Sequence, residues 1–415
     1  MKFDTVIIGG GLSGLVCGIR LAEQGQRCVI ISSGQSALHF SSGSFDLLNT
    51  LPDGSNVTNP ISSVKELVKQ APQHPYAKIG EDNFEKLTIS AQDFFRSIHF
   101  PVQGDSRKNH FRITPMGTLK PTWLSMSGFA TIEDKDKLPW KKVSIFNISG
   151  FLDFYPQFIA DEFLKLGTES DIHMFNLAAI DHLRRNPTEM RSTNIARILD
   201  DNIEELSRII NEKSTDGEAI IFPACIGLKP ASFDKLKELV SKPICLIPTM
   251  PPSIAGIHAQ QYLHDYFLNL GGVYMLGDSV RKAEIENNRI SKVYSFNHGD
   301  IPFTADNFVL ATGSYFSQGL IATSDNIYEP VFNLDVSYSK NREDWYNSKI
   351  FEPQGYQHFG VKTDNSFRGI HKGDVMDNLF VTGAILEGFN PIKEGSGAGV
   401  SILSSLTVAE EILKK

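Results

Sequence analysis

The sequence predicts an α/β protein whose first domain is discontinuous along the chain. Three observations carry this. A glycine-rich turn joins a strand to a helix at the N-terminus, two later strands also run into glycine turns, and strands alternate with helices in between. That pattern predicts a Rossmann-like FAD/NAD(P)-binding domain with a βαβ Gly-rich N-terminus and an inserted α/β domain.

The N-terminal unit is the most specific element. Thr5-Val6-Ile7-Ile8 is a β-branched run suited to a buried strand. It ends in Gly9-Gly10-Gly11-Leu12-Ser13-Gly14, a full G-x-G-x-x-G. Leu12, Leu15, Val16, Ile19 and Ala22 follow at helical spacing, Gly25 stops the helix, and Arg27-Cys28-Val29-Ile30-Ile31 forms a second strand. Gly9 allows the tight turn, Gly11 lets a phosphate approach the backbone, and Gly14 lets the helix pack on the strand, while the helix N-terminus around Ser13 attracts the anion. The acidic residue that usually holds the adenosine ribose is missing, because the second strand ends in Ser32-Ser33-Gly34 and no carboxylate appears before Asp46. Either serine hydroxyls such as that of Ser33 take its place, or the bound group lacks the adenosine half. Residues 36–46 are small and hydroxylated, and Ser41, Ser42 and Gly43 are candidate contacts to a phosphate or ring edge.

Residues from Leu51 to Asp136 are rich in Pro, Asn and Ser, with short helical patches only. Strands are expected at Lys142–Ile148, Ala219–Pro223 and Ile244–Ile247, with helices near Pro156–Leu166 and Ser232–Val240, which makes an inserted α/β domain. Ile254–Leu270 reads as a helix ending at Gly271-Gly272, and Val273–Leu276 as a strand. A small meander over Val280–Ile285, Ile290–Phe296 and Ile301–Thr304 leads into Phe308–Ala311 and then Thr312-Gly313, a buried strand ending in a turn suited to close ligand approach. Asn378–Thr382 with Gly383 repeats that design, and a loop containing Gly388, Gly395, Gly397 and Gly399 precedes a final helix over about Gly399–Lys414. The expected division is 1–50 with 250–415 for the first domain and 51–249 for the insert.

Composition narrows the function. With 40 Lys+Arg against 48 Asp+Glu, the net charge of −8 gives no global attraction for nucleic acid. Cys17, Cys28, Cys225 and Cys245 include no C-x-x-C pair, so neither a zinc site nor a cysteine-ligated cluster is expected, and no metal is assigned. Reduced thiols fit a cytoplasmic protein. No apolar run is long enough to span a bilayer, and the apolar stretch Val6–Ile19 lacks the flanks of a signal peptide. Arg184, Arg185, Arg191 and Arg197 are the densest basic stretch, read as a solvated helix face, and His39, His258 and His264 are read as structural. No catalytic residue is assigned.

The three Gly-bearing strand ends together resemble the two-dinucleotide-binding-domain flavoproteins, the broad group that includes fumarate reductase flavoproteins. Several segments are more specific: Phe3–Ile7 leading into the triple Gly, Gly34–Ser44, Gly117-Thr118-Leu119 with Thr122-Trp123-Leu124, Asn194–Arg197, Pro251-Pro252-Ser253 with Gly256-Ile257, and the C-terminal Gly loop. These are similar to the B subunits of the anaerobic glycerol-3-phosphate dehydrogenases over nearly the whole chain. The resemblance implies a flavoprotein component of a heteromeric electron-transfer complex of glycerol metabolism and anaerobic respiration. That complex oxidises sn-glycerol 3-phosphate to dihydroxyacetone phosphate and passes electrons to quinone, with fumarate or nitrate as terminal acceptor. It implies two partners: the A subunit, itself a flavoprotein, and the C subunit, which carries iron–sulfur clusters and holds the others at the cytoplasmic face of the inner membrane. It implies FMN, with FAD as the alternative. The expected cofactor contacts are Gly9, Gly11, Ser13, Gly14, Ser33, Ser41, Ser42, Gly43, Thr312, Gly313, Gly383 and Gly397. A stand-alone flavin dehydrogenase or oxidase and a flavin-free assembly subunit remain alternatives of the same fold.

Overall fold

The computed structural model describes residues 1–214, 216–229 and 231–414. Its main sheet has six strands in the order Val273–Leu276, Cys28–Ser32, Lys2–Ile8, Thr304–Leu310, Asp374–Val381 and Arg368–His371. The first five run parallel and the last is antiparallel. Lys2–Ile8 lies centrally, with Ile8 beside Ile31 on one side and Leu310 on the other. Its inner residues and all of Cys28–Ser32 are buried, as expected for parallel strands covered on both faces by helices. Leu12–Glu23 and the terminal helix Gly397–Leu413 pack on each other, and Ile254–Asn269 packs on Leu12–Glu23. All the parallel strands therefore end on the same side as the first glycine turn, where ligands of open α/β sheets bind.

A second, wholly parallel sheet has the order Glu169–Phe175, Lys142–Ile148, Ala219–Pro223 and Ile244–Ile247. The strand Glu169–Phe175 and the helices Ser192–Asp201 and Ile203–Lys213 are additional to the elements expected from the sequence. Residues 51–136, which carry little signal, hold the helices Pro60–Gln70, Pro75–Ile79 and Glu81–Ser97 and several strands of two to four residues, too short for their alternation to be read. Glu81–Ser97 packs against the terminal helix of the main sheet. The second sheet is tied to this region by Leu246 N donating to Gly128 O at 2.8 Å and Ala130 N donating to Leu246 O at 3.1 Å.

The meander is simpler than expected. Val280–Glu286 and Arg289–Ser295 form a hairpin, but the third segment contributes only a bridge between Val293 and Phe303 before Thr304–Leu310 enters the main sheet. The basic stretch differs in part: Arg197 is exposed on the helix Ser192–Asp201 as expected, but the others are not on a helix face. Arg184 and Arg185 lie on a 3₁₀ turn, not a helix face. Arg184 donates to Ser149 O and Asn176 Oδ1, and Arg191 pairs with the buried Asp153 at 2.5 Å. Their charges hold loops together.

Candidate functional site

A cleft of about 520 Å³ opens where the parallel strands end, within the range of about 300–1,000 Å³ typical of small-molecule sites. It is lined by Gly9–Ser13, Ser32–Leu38, Ser41, Ser44, Phe45, Asp278–Val280, Ala311–Ser314, Ala384, Gly397, Ala398 and Ser401, among others. Of the residues expected from the sequence, Gly9, Gly11, Ser13, Ser33, Ser41, Thr312, Gly313 and Gly397 line this cleft.

The glycines of the first turn divide into two kinds. Gly9 has φ +113°, and a Cβ there would lie 2.2 Å from Ala311 O, while a Cβ on Gly14 would lie 2.0 Å from Gly9 O. Both are required by protein packing. A Cβ on Gly11 would meet only Ser36 Cβ at 3.7 Å, so the space above Gly11 belongs to the cleft. Gly11 is also the N-cap of helix Leu12–Glu23; no side chain caps that helix, and its first turn carries no acid. The terminal helix, which begins at Gly397, is likewise without a side-chain cap. Two helix N-termini without side-chain caps thus face the cleft, a setting that favours anionic and carbonyl oxygens, although Gly399 N of the second is taken by Asp46 O. Thr312 Oγ1 is buried and has no hydrogen-bond partner. An open cradle over a glycine, uncapped amides and an orphaned hydroxyl fit a flavin with its phosphate.

Four expected contacts stand outside the lining. Gly14 lies behind the turn, against Gly9. Gly383 faces Ser13, whose Oγ a Cβ would approach to 2.1 Å, and its amide donates to Ser404 Oγ at 3.0 Å, so it joins the strand end to the two helices while Ala384 meets the cleft. Ser42 and Gly43 turn away because the 3₁₀ turn Ala37–Phe40 redirects the loop, leaving Gly43 against Ala255 and Phe129 while Ser44 and Phe45 face the cleft. His39 is not in the lining either, and burial holds its pKa below the usual imidazole value; the same holds for His258.

Sequence reading missed the supports of the glycine turn. Gly10 O accepts from Gln260 Nε2 and from Tyr274 Oη, each at 3.1 Å. Ser36 Oγ also pairs with Gln260 Oε1 at 2.5 Å. These partners lie more than 220 residues along the chain from the residues they hold, so no local spacing signals them. Asp278 was also missed. It lines the cleft one strand over from Ser32, its own amide donating to Ser32 O at 3.1 Å. Burial would raise its carboxyl pKa, but hydrogen bonds from Ser295, Asn297, His298 and Ser279 outweigh this and hold it below the usual value.

Residues 4–400 match the family described as FAD binding domain, and that match, on a mainly parallel sheet with a cleft at its strand ends, marks the chain as a flavin-dependent oxidoreductase. Curated relatives match over the full length. The B subunit of anaerobic glycerol-3-phosphate dehydrogenase from Yersinia pestis bv. Antiqua (strain Antiqua) is 48% identical, covering 100% of this chain and 99% of the relative. The proteins of the same name from Pectobacterium atrosepticum and Actinobacillus pleuropneumoniae are 43% and 40% identical, each covering at least 99% of both chains. The chain belongs to the family of anaerobic glycerol-3-phosphate dehydrogenase B subunits.

The expected preference for FMN is not supported. The matched family is one of FAD-binding domains. The cleft also runs past the second strand to Asp278, Ser279 and Val280, so the absence of a carboxylate at Ser32 does not close off the space for a nucleotide half. Ser32 Oγ is itself turned back to Gly34 O at 2.9 Å.

Proposed function

We propose that this chain binds FAD non-covalently in the cleft and serves as a flavoprotein component of a membrane-associated anaerobic glycerol-3-phosphate dehydrogenase. In this reading sn-glycerol 3-phosphate is oxidised to dihydroxyacetone phosphate and the electrons pass to quinone. The flavoprotein A subunit and the iron–sulfur C subunit of the same enzyme are its partners, and the complex sits on the cytoplasmic face of the inner membrane. The observation that carries the reading is the open cradle over Gly11 at an uncapped helix N-terminus. The names of the full-length relatives supply the substrate.

Each part of the cleft has a role in this reading. The amides of Leu12 and Ser13 hold the pyrophosphate. Ser33 and the Asp278–Val280 segment take the nucleotide end, and Thr312, Gly313, Gly397 and Ala398 face the flavin ring system. When bound, the flavin supplies the two-electron redox chemistry. The protein's residues position it, exclude water from the strand ends and direct helix amides at its oxygens. Among the described residues no helix is long and apolar enough to cross a membrane, so membrane attachment is assigned to a partner. The test is purification of the chain alone and co-expressed with both partners. Stoichiometric FAD, and quinone reduction by glycerol 3-phosphate only in the co-expressed complex, are the expected results; a colourless chain in both preparations would refute the reading.

A further inference from the structure

Strand His110–Ile113 pairs antiparallel with Leu119–Thr122 and sets Arg112 directly opposite Lys120. Their side chains share one face of the ribbon, about 4.5–5.5 Å apart at Cβ, and like charges so placed repel. Lys120 Nζ is answered by Asp46 Oδ2 at 2.9 Å. Arg112 has no side-chain hydrogen bond or ion pair among the described residues, and its Nε is buried without a partner. Asp46 Oδ1 is also buried without a partner. Arg112 and Lys120 thus stand opposite each other with one carboxylate, Asp46, whose charge is felt by Arg112, and Arg112 Nε and Asp46 Oδ1 are each left without a partner. His110, on the same face, is occupied by Ser125 Oγ at 2.8 Å, and burial keeps its pKa low.

The cluster is fastened to the cleft. Asp46 follows Phe45, which lines it. Asp46 O accepts from Gly399 N at 2.8 Å, in the first turn of the terminal helix. Thr122 Oγ1 and Trp123 N both donate to Phe45 O at 3.2 Å, and Asn49 Nδ2 donates to Pro121 O at 2.8 Å. The cluster is reachable from solvent, since the side chains of Lys120 and Asp46 are 40% and 15% exposed.

We propose that Arg112, Lys120 and Asp46 form a recognition site for a polyol phosphate monoester beside the flavin cleft; this rests on the function proposed above and locates its substrate. The phosphate dianion takes charge-assisted hydrogen bonds from Arg112 and Lys120, and a neighbouring hydroxyl of the same ligand donates to Asp46 Oδ1. A ligand carrying both groups satisfies both orphaned atoms at once.

The test is equilibrium dialysis of the flavin-loaded full chain against radiolabelled sn-glycerol 3-phosphate and, separately, inorganic phosphate. Both should bind, glycerol 3-phosphate more tightly. Arg112→Gln and Lys120→Gln should each weaken both ligands about tenfold or more. Asp46→Asn should erase the preference for glycerol 3-phosphate while leaving inorganic phosphate bound at least as well. In the unsubstituted chain, phenylglyoxal should modify Arg112 and glycerol 3-phosphate should protect it. Unchanged binding in Arg112→Gln, or equal modification with and without ligand, overturns the proposal even if a variant folds poorly. Flavin absorbance separates the two readings. A yellow chain that binds neither ligand refutes this site alone, whereas a colourless chain refutes the cofactor reading and this one with it.

Discussion

Gly11 and Gly14 differ by three positions and by what occupies the space beside them. Because the volume over Gly11 is open to the cleft, a larger side chain there would compete with a ligand and leave the protein interior undisturbed. Gly11→Val should leave the unfolding midpoint nearly unchanged and lower FAD affinity more than about tenfold, as measured by fluorescence titration of the flavin-free chain. A second residue-scale expectation concerns attachment. In the fumarate reductase group the histidine that can bond flavin stands six residues before a glycine pair. Counted back from Ser42-Gly43, which stand where that pair would be, the register here falls on Ser36, which lines the cleft, while His39 does not. Acid precipitation should release all the flavin with an equal amount of adenine; retained colour would contradict non-covalent binding, and missing adenine would contradict FAD. The first turn is legible in the sequence because strand, glycines and helix are contiguous, so each role follows from position. Gln260, Tyr274 and Asp278 are not, because sheet pairing and helix packing bring them to the turn from distant parts of the chain.

The supporting elements explain why the strand ends remain in register. Thr382 Oγ1 lies 2.6 Å from Ser404 Oγ and 2.8 Å from Ser405 Oγ, and Ser405 Oγ donates to Ser13 O at 2.9 Å. One buried hydroxyl chain thus joins the Asp374–Val381 strand end, the terminal helix and helix Leu12–Glu23. A buried polar network of this kind positions its elements only when every member is satisfied. Helix Leu12–Glu23 enters that assembly at Gly14, where Gly9 O leaves no room for a Cβ. Gly14→Ala should therefore destabilise the flavin-free chain by about 1–3 kcal/mol through overpacking, read from its urea midpoint, in contrast to Gly11→Val. Longer strands rich in β-branched and aromatic residues, such as Lys142–Ile148 with Val143, Ile145, Phe146 and Ile148, declare themselves in the sequence. The ribbon that carries Arg112 and Lys120 does not, because its strands have four residues each and one of them contains Pro121.

At the scale of the whole molecule, the question is where electrons go. Cys17, Cys28, Cys225 and Cys245 are free, and burial raises all four thiol pKa values, Cys28 to about 12. Among the described residues no group of three or more His, Cys, Asp and Glu could hold a metal ion. In the function proposed above, electrons bound for quinone leave through a partner protein. The rim of the cleft offers a place for it. Phe316 lines the cleft yet is 71% exposed, and it meets the half-exposed Phe40 edge-on at 5.3 Å between ring centroids. Aromatic side chains left at the mouth of a site are typical anchors of an interface, which for a stable complex exceeds about 1,200 Å² in total. The chain expressed alone should bind flavin but reduce quinone with glycerol 3-phosphate only at background rate, and co-expression with the flavoprotein and iron–sulfur partners should restore turnover and membrane association. Phe40→Asp should weaken co-purification with those partners while leaving flavin content unchanged, because Phe40 is half-exposed on the rim and lies outside the cleft lining. Full quinone-linked turnover by the isolated chain would show that the electron path lies within it, and tight binding of that chain to protein-free liposomes would show that the membrane contact does.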